Sequence, residues 1–267
     1  MTLGNELKLN VLVKSSDLAD GTYTAKITNN GETSEAEFTK YNSAYHYISY
    51  TVCAKQMADV ITVEVLDENG NVVSNPYETS VRDYAMKVMS SASQPAKIKT
   101  LVVDMLNYGS EAQLYFGYNA EDLANALLTD AQKALATETV ACANKQVKGK
   151  NFYGSNLSLE ECILLNLFFR NCKADMYAKV IFTDYTGKVK TIEKSLVPYS
   201  GSIYKVVVDD VVLADAFCTV TVTVYNADGT IHGSATDSVE SYMARADELA
   251  LNDAIMKFAY SAKQYLS

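Results

Sequence analysis

The chain has 267 residues, about twice the usual size of one domain, so two modules are expected. A hydrophobic fraction of 48% and a charged fraction of 21% exclude a disordered tail or a low-complexity linker. Lys and Arg number 23 against 32 Asp and Glu, giving a net charge of −9 and a pI near 4.8. So acidic a chain repels phosphate backbones, and nucleic acid is not an expected partner.

The start, Met1-Thr2-Leu3-Gly4-Asn5-Glu6, lacks the basic and apolar regions of a signal peptide. That leaves a cytosolic protein or a piece cut from a longer secreted one. No run approaches the roughly 18 apolar residues that span a bilayer, so no membrane insertion is expected.

Asn30-Gly31 marks a first hairpin, and Tyr45-His46-Tyr47 alternates as a strand. Ile61 to Leu66 places β-branched apolar residues at every second position, the signature of a half-buried strand. Asn69-Gly70 follows it directly, a dipeptide suited to a type I′ turn with two positive φ angles. Ser80 is placed to cap a helix from Val81 that carries Tyr84, Ala85 and Val88 on one face. Pro95 opens a second helix with Leu101, Val102, Met105, Leu106, Tyr108 and Ala112 as its apolar stripe. Helical composition over 120–134 predicts a connecting helix, and the domain boundary is set at Ala134.

The later part repeats this grammar. Thr186-Gly187 marks a hairpin, Val220 to Val224 alternates, and Asp228-Gly229 is a second type I′ candidate. Helices are predicted over Tyr242–Leu249 and Leu251–Tyr265. Tyr45 to Asn75 aligns with Tyr204 to Ser234 without a gap, and Ser80-Val81-Arg82-Asp83-Tyr84 answers Ser238-Val239-Glu240-Ser241-Tyr242. Upstream, Leu9-Asn10-Val11-Leu12-Val13-Lys14 answers Leu165-Asn166-Leu167-Phe168-Phe169-Arg170. The expected fold is therefore α+β: two tandem copies of a small antiparallel β-sandwich, each followed by a helical hairpin. Residues 1–134 form the first copy, including the connecting helix 120–134, and 135–267 the second.

The five cysteines, Cys53, Cys142, Cys162, Cys172 and Cys218, fit neither a disulfide framework nor a C-x2-C zinc site. They read as reduced, buried thiols, Cys53 and Cys218 within apolar β-like runs, with one Cys162–Cys172 bridge allowed by the sequence. No nucleophile elbow, P-loop, dinucleotide-binding or zinc-protease motif occurs, and His46 and His232 are not equivalent in the repeat. Glu160-Glu161 and Asp209-Asp210 read as solvated pairs projecting to opposite faces rather than glycosidase carboxylates. Asp67, Asn69 and Asn71 imitate the start of a calcium loop, but Val72 and Glu78 stand where Gly and Glu are needed, so the hairpin reading prevails. No catalytic residue, metal or cofactor is expected.

Tyrosine remains, 19 residues of it in a chain without tryptophan. Tyr41, Tyr45, Tyr47 and Tyr50 cluster, and alternation sets Tyr45 and Tyr47 on one face. Exposed rings on a sheet stack on the apolar faces of sugars while hydroxyls bond to hydroxyls, so Tyr41, Tyr45 and Tyr47 are the candidate ligand-binding residues. The competing reading makes Tyr45, which aligns with Tyr204, core packing.

Met105-Leu106-Asn107-Tyr108-Gly109-Ser110-Glu111-Ala112-Gln113-Leu114-Tyr115-Phe116-Gly117-Tyr118-Asn119, with Asp122-Leu123-Ala124-Asn125-Ala126 and Ser80-Val81-Arg82-Asp83-Tyr84-Ala85, carries a family resemblance. It resembles a module that recurs toward the C-terminal parts of large secreted or surface proteins of anaerobic gut bacteria. Those proteins often bear dockerins, repeats or polysaccharide-degrading domains. The resemblance is strongest over 54–126 and implies an extracellular accessory module excised from a larger protein, with no catalytic residues to carry over. The function expected is a non-catalytic module that binds or positions polysaccharide at the cell surface or in a cellulosome-like assembly. The alternative is a structural spacer or protein–protein interaction module without a glycan ligand.

Overall fold

The computed structural model describes residues 1–3, 6–18, 21–159, 163–247 and 249–266. It is mixed α+β, with four antiparallel sheets and few helices among the described residues. The chain divides into two compact units, Met1–Leu135 and Ala136–Ser267. No helix among the described residues is long and apolar enough to cross a membrane.

The first unit begins with β1 (Thr2–Leu3), β2 (Leu7–Lys14), β3 (Thr24–Asn29), β4 (Glu32–Glu37), β5 (Thr39–Lys40), β6 (Tyr45–Thr51), β7 (Ile61–Leu66) and β8 (Tyr77–Thr79). One sheet runs β1-β2-β6-β5 and the other β4-β3-β7-β8. Alternation drives both: Leu7, Leu9, Val11 and Ile48 of the first sheet, and Ala25, Ile27, Ile61, Val63 and Val65 of the second, are buried. A side chain such as Ile48, 1% exposed, stabilises the fold by about 2 kcal/mol through burial alone.

At Asn30-Gly31 both residues take positive φ, 48° and 82°, so this hairpin is the two-residue turn that matches strand twist. Asn69-Gly70 differs from the type I′ expectation, because only Gly70 is left-handed, at φ 79°. Asp67 Oδ1 accepts from both Asn69 N and Asn71 N at 2.9 Å, and Gly70 N donates to Asp67 O. The aspartate thus imposes a longer turn with a single left-handed glycine. Gly187 and Gly229 close the equivalent turns behind Asp184 and Asn226 in the same way.

Then come α1 (Val81–Ser90), α2 (Ala96–Phe116) and α3 (Asp130–Lys133). Ser80 Oγ accepts from Asp83 N, and Pro95 precedes the first turn of α2. Gly117, at φ 61°, ends α2 in a Schellman arrangement with Tyr118 N on Gln113 O and Gly117 N on Leu114 O. The predicted helix over 120–134 is absent: the segment is a run of turns with a helix only at Asp130–Lys133. Side chains of α1 and α2 take its main-chain groups instead. Gln113, fully buried, donates Nε2 to Asn119 O and Asp122 O and accepts from Ala124 N at 2.7 Å. Ser110 Oγ accepts from Asn125 N, and Arg82 grips the Asp122 carboxylate and Leu123 O. With its polar groups satisfied laterally, the segment has no need of a helical ladder.

The second unit holds β9 (Val147–Lys148), β10 (Phe152–Leu159), β11 (Ile163–Phe169), β12 (Tyr177–Thr183), β13 (Val189–Ser195), β14 (Val197–Ser200), β15 (Ile203–Val208), β16 (Val220–Tyr225) and β17 (Ile231–Asp237). Its sheets run β10-β11-β15-β14 and β13-β12-β16-β17-β9. Leu165, Leu167, Phe169, Val206 and Val208 of the first share one core with Val180, Phe182, Val220 and Val222 of the second. Helix α4 (Val239–Met243) follows, then α5 (Ala250–Leu266). The predicted Tyr242–Leu249 helix thus starts and stops earlier, because Arg245 folds back onto Ser241 O and the Asp237 carboxylate rather than extending α4.

Cys53 caps a short 3-10 turn, and Cys218 lies between such a turn and β16, so neither sits within a strand as expected. Buried Cys172 donates its thiol to Phe169 O and Arg170 O. Cys162, Glu160 and Glu161 lie outside the described residues.

Candidate functional site

The outward face of the β1-β2-β6-β5 sheet is built by period-two alternation on β6. Ile48 goes inward, and Tyr45 and Tyr47 therefore go outward together. Tyr47 stands opposite Leu12 on β2 and Thr39 on β5, and Tyr45 opposite Lys14. Tyr41 joins them through a tight turn in which Tyr41 N and Asn42 N donate to Tyr45 O while Asn42 Oδ1 accepts from Ala44 N and Tyr45 N. Its ring meets Tyr47 edge-on, with centroids 6.2 Å apart. Tyr41 is 65% exposed, Tyr45 37% and Leu12 50%. Ser49 Oγ donates to Asn10 Oδ1 at 2.7 Å, which sets polar groups beside the rings. The three tyrosines named from sequence thus fall on one surface, and Leu12 completes it.

The core-packing reading of Tyr45 rested on its gapless alignment with Tyr204. Pairing separates the two. Tyr204 is opposite core residue Phe169, whereas Val13, the residue of β2 that answers Phe169, is opposite His46. The alignment is therefore one residue out of register in β6, and a one-residue slip exchanges the faces of a strand. Tyr204 packs on the core, and Tyr45 is on the outside.

Sequence reasoning missed the aromatic group on the second unit. Tyr199, 59% exposed at the end of β14, packs edge-on against Phe168 with centroids 4.7 Å apart. Phe168 is opposite Gly154 and Lys205, and nearby Tyr153 carries the Arg170 guanidinium 4.6 Å above its ring. The signal was the register: Val197 pairs with Lys205 two residues before Tyr199, as Thr39 pairs with Tyr47 two residues before Tyr41.

Several titratable groups are engaged structurally. Ser15 Oγ lies 3.1 Å from His46 Nδ1, and His232 Nε2 lies 2.9 Å from Arg170 O. Asp209 and Asp210 converge on Lys194 Nζ rather than diverging. Burial pushes the Cys218 thiol up to about 11, with the Asp215 carboxylate adding to it, so it stays protonated at neutral pH. Burial and a 2.5 Å hydrogen bond to Asp59 push Tyr118 up to about 12. Burial alone would raise the Asp237 carboxyl, but hydrogen bonds from Arg245, Ser155, Gln146 and Ser238 N outweigh it and hold the group below the usual carboxylate range. The Asp67 carboxylate, the calcium-loop candidate, is occupied by its own turn.

No family model matches the chain, and no curated protein does. Among solved structures it is similar to a pullulanase of Anoxybacillus sp. LM18-11 complexed with maltotriose, at 11% identity and a TM-score of 0.21, over 87% of this chain and 25% of that one. A type I pullulanase of Bacillus subtilis complexed with maltose matches at 10% and 0.20, over 85% and 23%. A tetra-tandem repeat from the extending region of a large adhesion protein matches at 12% and 0.22, over 90% and 47%. The chain spans about a quarter of the pullulanases and under half of the adhesion-protein repeat. Likenesses of this size carry no argument about function.

Proposed function

We propose that the chain is a non-catalytic, extracellular or cell-surface accessory module that binds or positions polysaccharide through aromatic surfaces on its sheets. Its fold reads as two tandem copies of a small β-sandwich with trailing helices. Matched pairings support that reading: Leu3 with Leu7 and Leu159 with Ile163, Val11 with Ile48 and Leu167 with Val206, Val63 with Ile27 and Val222 with Val180. Ser80 and Ser238 cap the first helix of each set in the same way.

The observation that carries the glycan reading is the exposed tyrosine in each unit. Tyr41 and Tyr199 take equivalent places, both more than half exposed, Tyr41 edge-on to Tyr47 and Tyr199 edge-on to the buried Phe168. A ring held at its edge keeps its face free for a sugar. No metal or tuned pKa is needed, in keeping with the engaged carboxylates. The family resemblance to gut-bacterial surface modules agrees with this role.

In affinity gels with starch, cellulose, xylan and mucin, the chain is expected to be retarded by at least one polymer. The double substitution Tyr41→Ala and Tyr199→Ala should weaken that binding about tenfold, near 1.4 kcal/mol, without changing the unfolding midpoint. Unretarded migration in all four gels refutes the reading.

A further inference from the structure

The rings of the two aromatic surfaces are not laid out for a flat chain. In the first unit Tyr41 and Tyr47 stand at 85° to each other, with centroids 6.2 Å apart. In the second unit Tyr199 is exposed but its neighbour Phe168 is buried, so only one ring of that pair is open. Nearby Tyr153 has the Arg170 guanidinium 4.6 Å above its ring, which covers one face.

Successive residues of a β-1,4-linked glucan are flipped about the chain axis, so their ring planes stay parallel and the chain is a ribbon. Aromatic rings set in one plane hold such a ribbon, whereas a ribbon stacked on Tyr41 meets Tyr47 edge-on. Residues of an α-1,4-linked glucan turn in one sense instead. The residue that stacks on a ring is then followed by one inclined to it.

Polar groups lie one step along each sheet. Ser49 is two residues from Tyr47 on β6, on the same face and about 7 Å along the strand. Its hydroxyl donates to Asn10 Oδ1 at 2.7 Å. In the second unit Asn166, two residues from Phe168 on β11, donates Nδ2 to Asn156 Oδ1 at 3.0 Å and to Ser158 Oγ at 2.9 Å. Asn10 and Asn166 hold the same position in the aligned runs Leu9–Lys14 and Leu165–Arg170. Each unit thus sets a ring beside a carboxamide bonded to a hydroxyl. These neutral groups both give and accept protons, as sugar hydroxyls require.

We propose that the glycan taken by these surfaces is a curved, neutral, α-linked glucan. One residue stacks on the exposed tyrosine, and the next turns onto the carboxamide and hydroxyl beside it. The inference rests on the aromatic reading of the site and names the class of chain that the site takes.

The full chain is titrated calorimetrically with maltohexaose, with β-cyclodextrin, a closed ring of the same linkage that cannot straighten, and with cellohexaose. Both α-linked sugars are expected to bind about tenfold tighter than cellohexaose, or more. A Tyr199→Ala background reads the first unit alone. There Tyr47→Ala should weaken β-cyclodextrin binding about tenfold, and Tyr47→Phe, which keeps the ring, should regain most of the loss. Ser49→Ala should weaken it about threefold at an unchanged unfolding midpoint. Cellohexaose binding as tight as that of the α-linked sugars overturns the inference, as does α-linked binding that neither Tyr47→Ala nor Ser49→Ala alters. A chain retarded in gels by cellulose, xylan or mucin but not by starch also overturns it, while the polysaccharide reading stands. A chain retarded by none of the four loses both.

Discussion

Asp237 concentrates the electrostatics of the second unit in one side chain. It is fully buried, ion-paired to Arg245 at 2.8 Å and bonded to Ser155 Oγ at 2.6 Å. Its carboxyl is held below the ordinary range, so its stabilising contribution is complete above the unfolded value near 3.9 and fades as pH falls through the lower folded value. Acid unfolding followed by circular dichroism should therefore show loss of stability starting below about pH 4, and Asp237→Asn should flatten that limb. The same substitution leaves Arg245 without its counterion at neutral pH and should cost about 3 kcal/mol in urea unfolding. Tyr45 teaches another lesson at this scale. Alternation alone set it beside Tyr47 correctly, whereas alignment with Tyr204 pointed it inward, because one residue of slip is invisible in a run of similar apolar residues.

Elements with strong local signals were legible, and those decided by distant side chains were not. Ser80 caps α1 through its hydroxyl and Pro95 opens α2, both as the sequence indicates, and the alternation of Ile61–Leu66 became β7. Asn69-Gly70 misled because Asp67, two residues before the pair, chose the turn. The stretch 120–134 misled because its composition favours helix, while Gln113, Ser110 and Arg82 hold its backbone otherwise. The aromatic site was half legible: Tyr41 and Tyr47 stand out in sequence, but Tyr199 is recognisable only from strand pairing. Helix α2 offers a direct test of packing. A Cβ on Gly109 would lie 2.8 Å from Met57 Sδ, 3.1 Å from Ala124 Cβ and 3.2 Å from Ala54 O, so α2 sits against the 3-10 turn Ala54–Gln56 only because the side chain is missing. Gly109→Val should lower stability by about 2–3 kcal/mol, read from the shift in the urea midpoint at unchanged slope.

Over the whole molecule the dominant property is the charge of −9. Stacking on neutral sugars is indifferent to it, whereas a polyanionic glycan is repelled. Binding to a neutral polymer should thus be unchanged between low and physiological salt, while retention by a pectin-like or sulfated polymer should be weak at low salt and rise as salt is added. Affinity gels at two ionic strengths check this, and stronger retention by the polyanion at low salt would refute it. Durability is a property of the whole molecule as well, and Gln113 bears on it. A carboxamide is the side chain of that length that gives two protons and accepts one, and Gln113 uses all three against the turns at 119–124. Hydrolysis to glutamate would replace that donor with a carboxylate oxygen, an acceptor set against the carbonyls of Asn119 and Asp122. Complete burial keeps water from that amide, so in an ageing preparation the clasp is shielded for as long as the helix stays folded around it.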